Sequence, residues 1–136
     1  MAYDEAIRNV TLTADSSLAG YTGVPGTPGA ADPNYGKAQY RFVKVTGAKQ
    51  CGLATAVADH VVGVAQNKPQ VAGQAVTVAI RGISQVLSGG VFIPGDLIDT
   101  DATGRAVKSG AGNGIGIAIE ASGGANQLSS VLLRCN

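Results

Sequence analysis

The sequence predicts an all-β fold: a small β-barrel or β-sandwich made of two similar β units, preceded by an extended N-terminal arm. Three observations carry that expectation. Short β-branched and aliphatic segments recur along the chain, each bounded by Gly, Pro, Asn or Asp. Twenty glycines in 136 residues supply tight turns and disfavour helix. Helical periodicity is nowhere sustained, and only GLATAVADH at 52–60 has room for a turn or two.

Residues 1–37 read as the arm and 38–136 as the β domain. Pro25, Pro28 and Pro33 are interspersed with Gly23, Gly26, Gly29 and Gly36, a composition that cannot be helix or central strand. The arm's one candidate strand is Val10-Thr11-Leu12-Thr13, which alternates apolar and polar side chains. Fully extended, the arm would reach on the order of 100 Å at roughly 3.3 Å per residue.

From Tyr40 the pattern is β throughout. YRFVKVTG places Tyr40, Phe42 and Lys44 on one side and Arg41, Val43 and Val45 on the other, then turns at Gly47. Further strands are expected in HVVGVAQ, QAVTVAI, GISQVLS and GDLIDTD. After a turn at ATGR come RAVKSG, GIGIAIEA and QLSSVLLRC. A faint duplication underlies them. Shifted by about 53 residues, VGVAQNKPQVAGQAVTVAIRG overlies IGIAIEASGGANQLSSVLLRC. Gly63 then matches Gly116, Ala65 matches Ala118, Val78 matches Val131 and Arg81 matches Arg134. Each unit reads as strand, glycine-containing loop, strand, and the two are expected to pack as halves of one barrel. Gly63 and Gly116 would fall where a side chain blocks a bend or a backbone approach.

Composition argues against several classes of function. The formal charge of +1 makes no general electrostatic case for nucleic acid or an anionic membrane. Tyr3, Asp4 and Glu5 stand where a secretory signal would be basic and then apolar, and no apolar run reaches membrane-spanning length. Cys51 and Cys135 fit no metal or redox spacing and read as free thiols, with a disulfide as the alternative.

The motifs that suggest chemistry each meet an objection. His60 is the sole histidine, so a metal site lacks ligands, and no oxyanion loop accompanies a Cys51–His60 nucleophile pair. DTDATG at 99–104 opens like a calcium loop, but the closing ligand position falls on Gly110. It reads instead as a hairpin turn whose Asp and Thr cap their own backbone. GAGNGIG at 110–116 is followed by a strand pattern where a phosphate loop needs a helix. Asn9-Val10-Thr11 matches a glycosylation acceptor, which has no meaning without secretion. The carboxylates fall mostly in the arm or at turns, and no catalytic residue, cofactor or metal is assigned.

Five elements recur in order across residues 40–134. They are VGVAQNKP, then AGQAVTVAIRG, then GDLIDTDATGRA, then GIAIEA, and a closing VLLR. Their order and spacing resemble the capsid cement, or head decoration, proteins of tailed bacteriophages. The resemblance implies a small barrel-like domain, often trimeric, bound to the outside of an expanded shell, where it clamps neighbouring major capsid subunits. It implies partners in the major capsid protein and in further copies of the chain. It also implies a place on the outer capsid surface after synthesis in the host cytoplasm. The arm matches less well, so its role rests on its residues: Val10, Thr11, Leu12 and Thr13 would add a strand to a sheet edge on a partner. Lys68 at a loop tip and Arg81 at a strand end are the other candidate contacts, being the only charged residues from Val62 to Gly82. A β-structured tail or fibre component is the alternative. So is a small glycan-binding module, although the core has no Trp and only Tyr40 to offer a sugar.

Overall fold

A computed structural model describes residues 8–18, 39–69, 71–110 and 114–134. Five strands make the first half: β1 (Arg8–Ala14), β2 (Phe42–Gly47), β3 (Gln50–Leu53), β4 (Val61–Ala65) and β5 (Ala75–Leu87). The second half adds β6 (Val91–Phe92), β7 (Leu97–Thr100), β8 (Ala106–Lys108), β9 (Gly116–Ala118), β10 (Ser122–Gly123) and β11 (Leu128–Leu133). The all-β expectation holds.

Strands β1, β3, β2, β4 and β5 pair in that order, and β1 pairs again with β5, which closes a five-stranded barrel. A second sheet runs β5-β11-β9-β7-β8 and curls until β8 meets the end of β5. There Ser88 bridges Ala106, and the Gly89 N–H donates to the Ala106 carbonyl at 2.7 Å. The ribbon β6–β10 forms a separate two-stranded sheet that packs Phe92 into the core of the second.

The 13-residue β5 serves both sheets because its alternation is reset midway. Pairing with β1 steps from Asn9↔Ala79 to Arg8↔Arg81, which leaves Ile80 as an extra residue. Gly82 follows with φ of 96°, a conformation open to glycine and costly for other residues. Such a bulge exchanges the inner and outer faces of a strand. Before it, Val76 and Val78 join Ala14, Val43 and Cys51 in the barrel interior. After it, Val86 joins a second core with Phe42, Val64, Ala79, Phe92, Ile98 and Val131. Strands β2 and β4 are buried on both faces, Phe42 and Val64 facing one core, Val43 and Ala65 the other.

The arm is used differently from the sequence expectation. Val10–Thr13 does form a strand, but its partners are in its own chain. β1 runs antiparallel to β5, with Thr11↔Thr77 and Leu12↔Val76, and parallel to β3, with Thr13↔Gln50. Val10 and Leu12 pack on the barrel core, so both backbone edges and one face of β1 are occupied. Residues 8–14 are therefore part of the β domain, and a boundary at 37/38 does not separate them from it. The Pro/Gly-rich run, residues 23–36, lies outside the described residues.

The duplication has a structural counterpart. In the first unit Val64 pairs with Ala79 and Ala65 with Val78. About 53 residues on, Ile117 pairs with Leu132 and Ala118 with Val131. A Cβ on Gly63 would strike the carbonyl oxygen of Ala79, and one on Gly116 would lie 2.9 Å from that of Leu132. The two units are not halves of one barrel, however. The first supplies barrel wall and the second extends the other sheet, because β5 turns out of the barrel to pair with β11.

Candidate docking surface

Four of the six described carboxylates, Asp15, Asp59, Asp96 and Asp101, are committed to turns. Asp101 Oδ1 accepts from the Thr103 N–H at 2.8 Å, the Arg105 N–H at 2.9 Å and the Thr103 hydroxyl at 3.0 Å. Its Oδ2 accepts from Arg105 Nε at 2.8 Å. The calcium-like DTDATG segment is thus a turn capped by its own Asp. Asp59 Oδ2 accepts from the Thr55 and Ala56 N–H groups at 2.7 and 2.9 Å and pairs with Lys44 Nζ at 3.0 Å. The Thr55 backbone bond, followed by Lys44, pulls its pKa down to about 2. Burial alone would raise Asp15, but hydrogen bonds from Ser17 and Thr46 outweigh it and hold the carboxyl below its ordinary value. Asp96 is likewise lowered, by the Ile93 N–H and by Lys108.

The thiol and the imidazole are kept from one another's chemistry. Cys51 is a free, fully buried thiol in the barrel core, and burial with the nearby Asp15 charge pushes it up to about 11. At neutral pH it is not a thiolate and is no nucleophile. His60 lines an open cleft of about 460 Å³ with Lys44, Val45, Asp59 and Val62, and Cys51 is not among the lining residues. The Asp59 carboxylate there is held ionised by its donors, so it makes a poor base.

What the surface does offer is an apolar sheet face. Register places Ile83 opposite Leu132, Leu132 opposite Ile117, and Ile117 opposite Leu97. Cross-strand partners share a face, so four long aliphatics form one row across β5, β11, β9 and β7. This face is opposite the one that buries Val86, Ile98, Ala118 and Val131. Ile83 is 49 % exposed, Leu132, Ile117 and Leu97 are half-buried, and nearby Ile119 and Leu128 are 43 % and 53 % exposed. Scattered exposed aliphatics are ordinary, whereas here exposed and half-buried ones adjoin.

One end of that face is cationic. Arg8 pairs across strands with Arg81. Gly82 pairs with Leu133, which sets Arg134, the residue after β11, beside Arg81. All three arginines are exposed, and none has an ion-pair partner among the described residues. Arg81 is therefore not at a strand end, as the sequence suggested, but at the β5 bulge beside the strand that contains Val10–Thr13. Lys68 is exposed in the β4–β5 loop, at the opposite end of that hairpin from the bulge. There the Asn67 side chain clamps β5 by donating to the Ala75 carbonyl and accepting from the Thr77 N–H. The aliphatic row escaped sequence reading. Alternation marks Ile83 and Leu132 as sharing one side of their own strands, but only register brings them together.

A family model described as phage cement protein matches residues 32–135. In fold the chain is similar to a solved structure titled "The crystal structure of head fiber gp8.5 N base in bacteriophage phi29". The TM-score is 0.61 at 17 % identity, with 95 % of each chain covered. No curated protein matches the chain in sequence.

Proposed function

The chain belongs to the phage cement protein family, whose members are structural components of the virion; from that premise we propose that it binds the outer capsid surface and clamps neighbouring major capsid subunits. It does so as a trimer and stabilises the expanded head. The observation that carries the reading is the family match over residues 32–135. The residues support it: carboxylates held in turns and a buried thiol build a rigid scaffold, and the scaffold presents an apolar face edged with arginine. The structural neighbour's title assigns that protein to a head fibre, which favours one second reading. In it the domain anchors a fibre on the head in addition to, or in place of, clamping the shell.

Heads purified from phage lacking the gene test the proposal. Added protein is expected to saturate them at hundreds of copies per head and to raise the temperature at which they release DNA. Light scattering should give three times the 13.5 kDa chain mass. A handful of copies per particle would contradict decoration. A monomer at every concentration would contradict a preformed trimer.

A further inference from the structure

We propose that the outward face of the β5–β11–β9–β7 sheet is the docking face, with its aliphatic row seated on an apolar strip of a shell subunit. The arginine row then pairs with carboxylates bordering that strip. This rests on the capsid-binding reading above and adds which surface binds and what it binds.

The arginines carry the argument. Like charges set across neighbouring strands repel, so Arg8, Arg81 and the adjoining Arg134 form a cationic edge that an anionic partner would relieve. The chain's described surface has little to offer another copy. Asp15, Asp59, Asp96 and Asp101 are bound in their own turns, and Asp99 is buried. Glu120 is the one exposed carboxylate left among the described residues, and a single anion cannot match three guanidiniums. Charge complementarity therefore points to a partner with an acidic border, and the capsid-binding reading makes that partner a shell subunit. The adjoining row Ile83–Leu132–Ile117–Leu97 gives that partner an apolar strip to cover, and aliphatic contact framed by charge is the usual anatomy of a protein interface. The charges then set orientation and association rate, and the apolar row sets lifetime.

The test uses shells purified from phage lacking the gene, with the full-length chain added back. Arg81→Glu with Arg134→Glu should weaken shell binding by about tenfold or more and remove most of its salt dependence. Ile83→Thr with Leu128→Thr puts a strand-favouring β-branched side chain at both positions, and should weaken binding by roughly tenfold, mainly through faster release. Lys49→Glu in the β2–β3 turn and Val57→Thr in the β3–β4 loop, both exposed and away from this face, should bind within about twofold of the unaltered chain. Circular dichroism and melting establish that each variant is folded. Full binding by both face variants overturns the docking face and leaves capsid binding standing. Failure of the unaltered chain to bind overturns both. Face variants that lose self-association along with shell binding assign the face to a second copy, which also overturns the proposal.

Discussion

Gly63 on β4 lies against the backbone carbonyl of Ala79 on β5, so close that a single methyl group on Gly63 has no place to go. The contact is repeated about 53 residues later between Gly116 and Leu132. The offending atom at Gly63 is backbone and cannot rotate away, so Gly63→Ala should cost roughly 2–3 kcal/mol. Gly116→Ala meets a movable Val131 methyl first and should cost roughly 1–2 kcal/mol. Gly124→Ala, with open space around it, should be nearly neutral. Urea unfolding of the three variants measures these differences.

Strand β1 is barrel wall, and its amides should behave accordingly. The Thr13 N–H donates to the Lys49 carbonyl and the Ala14 N–H to the Gln74 carbonyl, both at 2.8 Å. Hydrogen exchange at these amides should be slowed nearly as much as in β5, whereas a loosely attached arm would exchange at once. Leu12→Asp, which drives a carboxylate toward Val76 and the barrel core, should cost about 3 kcal/mol or more.

Acid should loosen the turns. Asp59 titrates in the folded protein at about 2 against an ordinary 3.8, because it accepts backbone N–H bonds and pairs with Lys44. A depressed folded-state pKa means stability that is fully present above pH 4 and lost as pH falls from there toward 2. Asp15, Asp96 and Asp101 are shifted in the same direction and should add to the loss. Melting temperature measured from pH 6 to pH 2 should fall mainly below pH 4, and Asp59→Asn should flatten that fall. At neutral pH, Asp101→Ala should cost about 1–3 kcal/mol, since it strands the Thr103 and Arg105 donors.

Cys51 should be chemically silent until the barrel opens. Its thiol is fully buried and shifted up to about 11, so maleimide labelling at pH 7.5 should be slow in the native protein. In urea it should be fast. Peptide mapping of labelled protein separates Cys51 from Cys135, and rapid native labelling at Cys51 would contradict the buried position.

Much of this architecture is legible in the residues. Strand β11 is marked by the alternating burial of LSSVLL, and β2 and β4 by the short β-branched runs FVKVT and VVGVA, which are buried on both faces. The turn at DTDATG is readable because an Asp two residues before Thr caps backbone N–H groups locally. Strand β3 is not readable. Its four residues, QCGL, include Gly52, kept small because a Cβ there would meet the Asp15 carboxylate from a distant segment. The joining of two expected strands into β5 is also hidden, since the bulge at Ile80 and the turn-like Gly82 read locally as an ending. The destination of β1 and the apolar row depend on pairings across the whole chain, which no local pattern encodes.

That the barrel sits on the outside of the shell, face down, is tested most directly by a reconstruction of the purified virion. It should show density for the chain at repeated positions over the outer capsid surface, with Arg81 and Ile83 turned toward a shell subunit. Density confined to the tail, or a decorating barrel with that face turned to solvent, would contradict it.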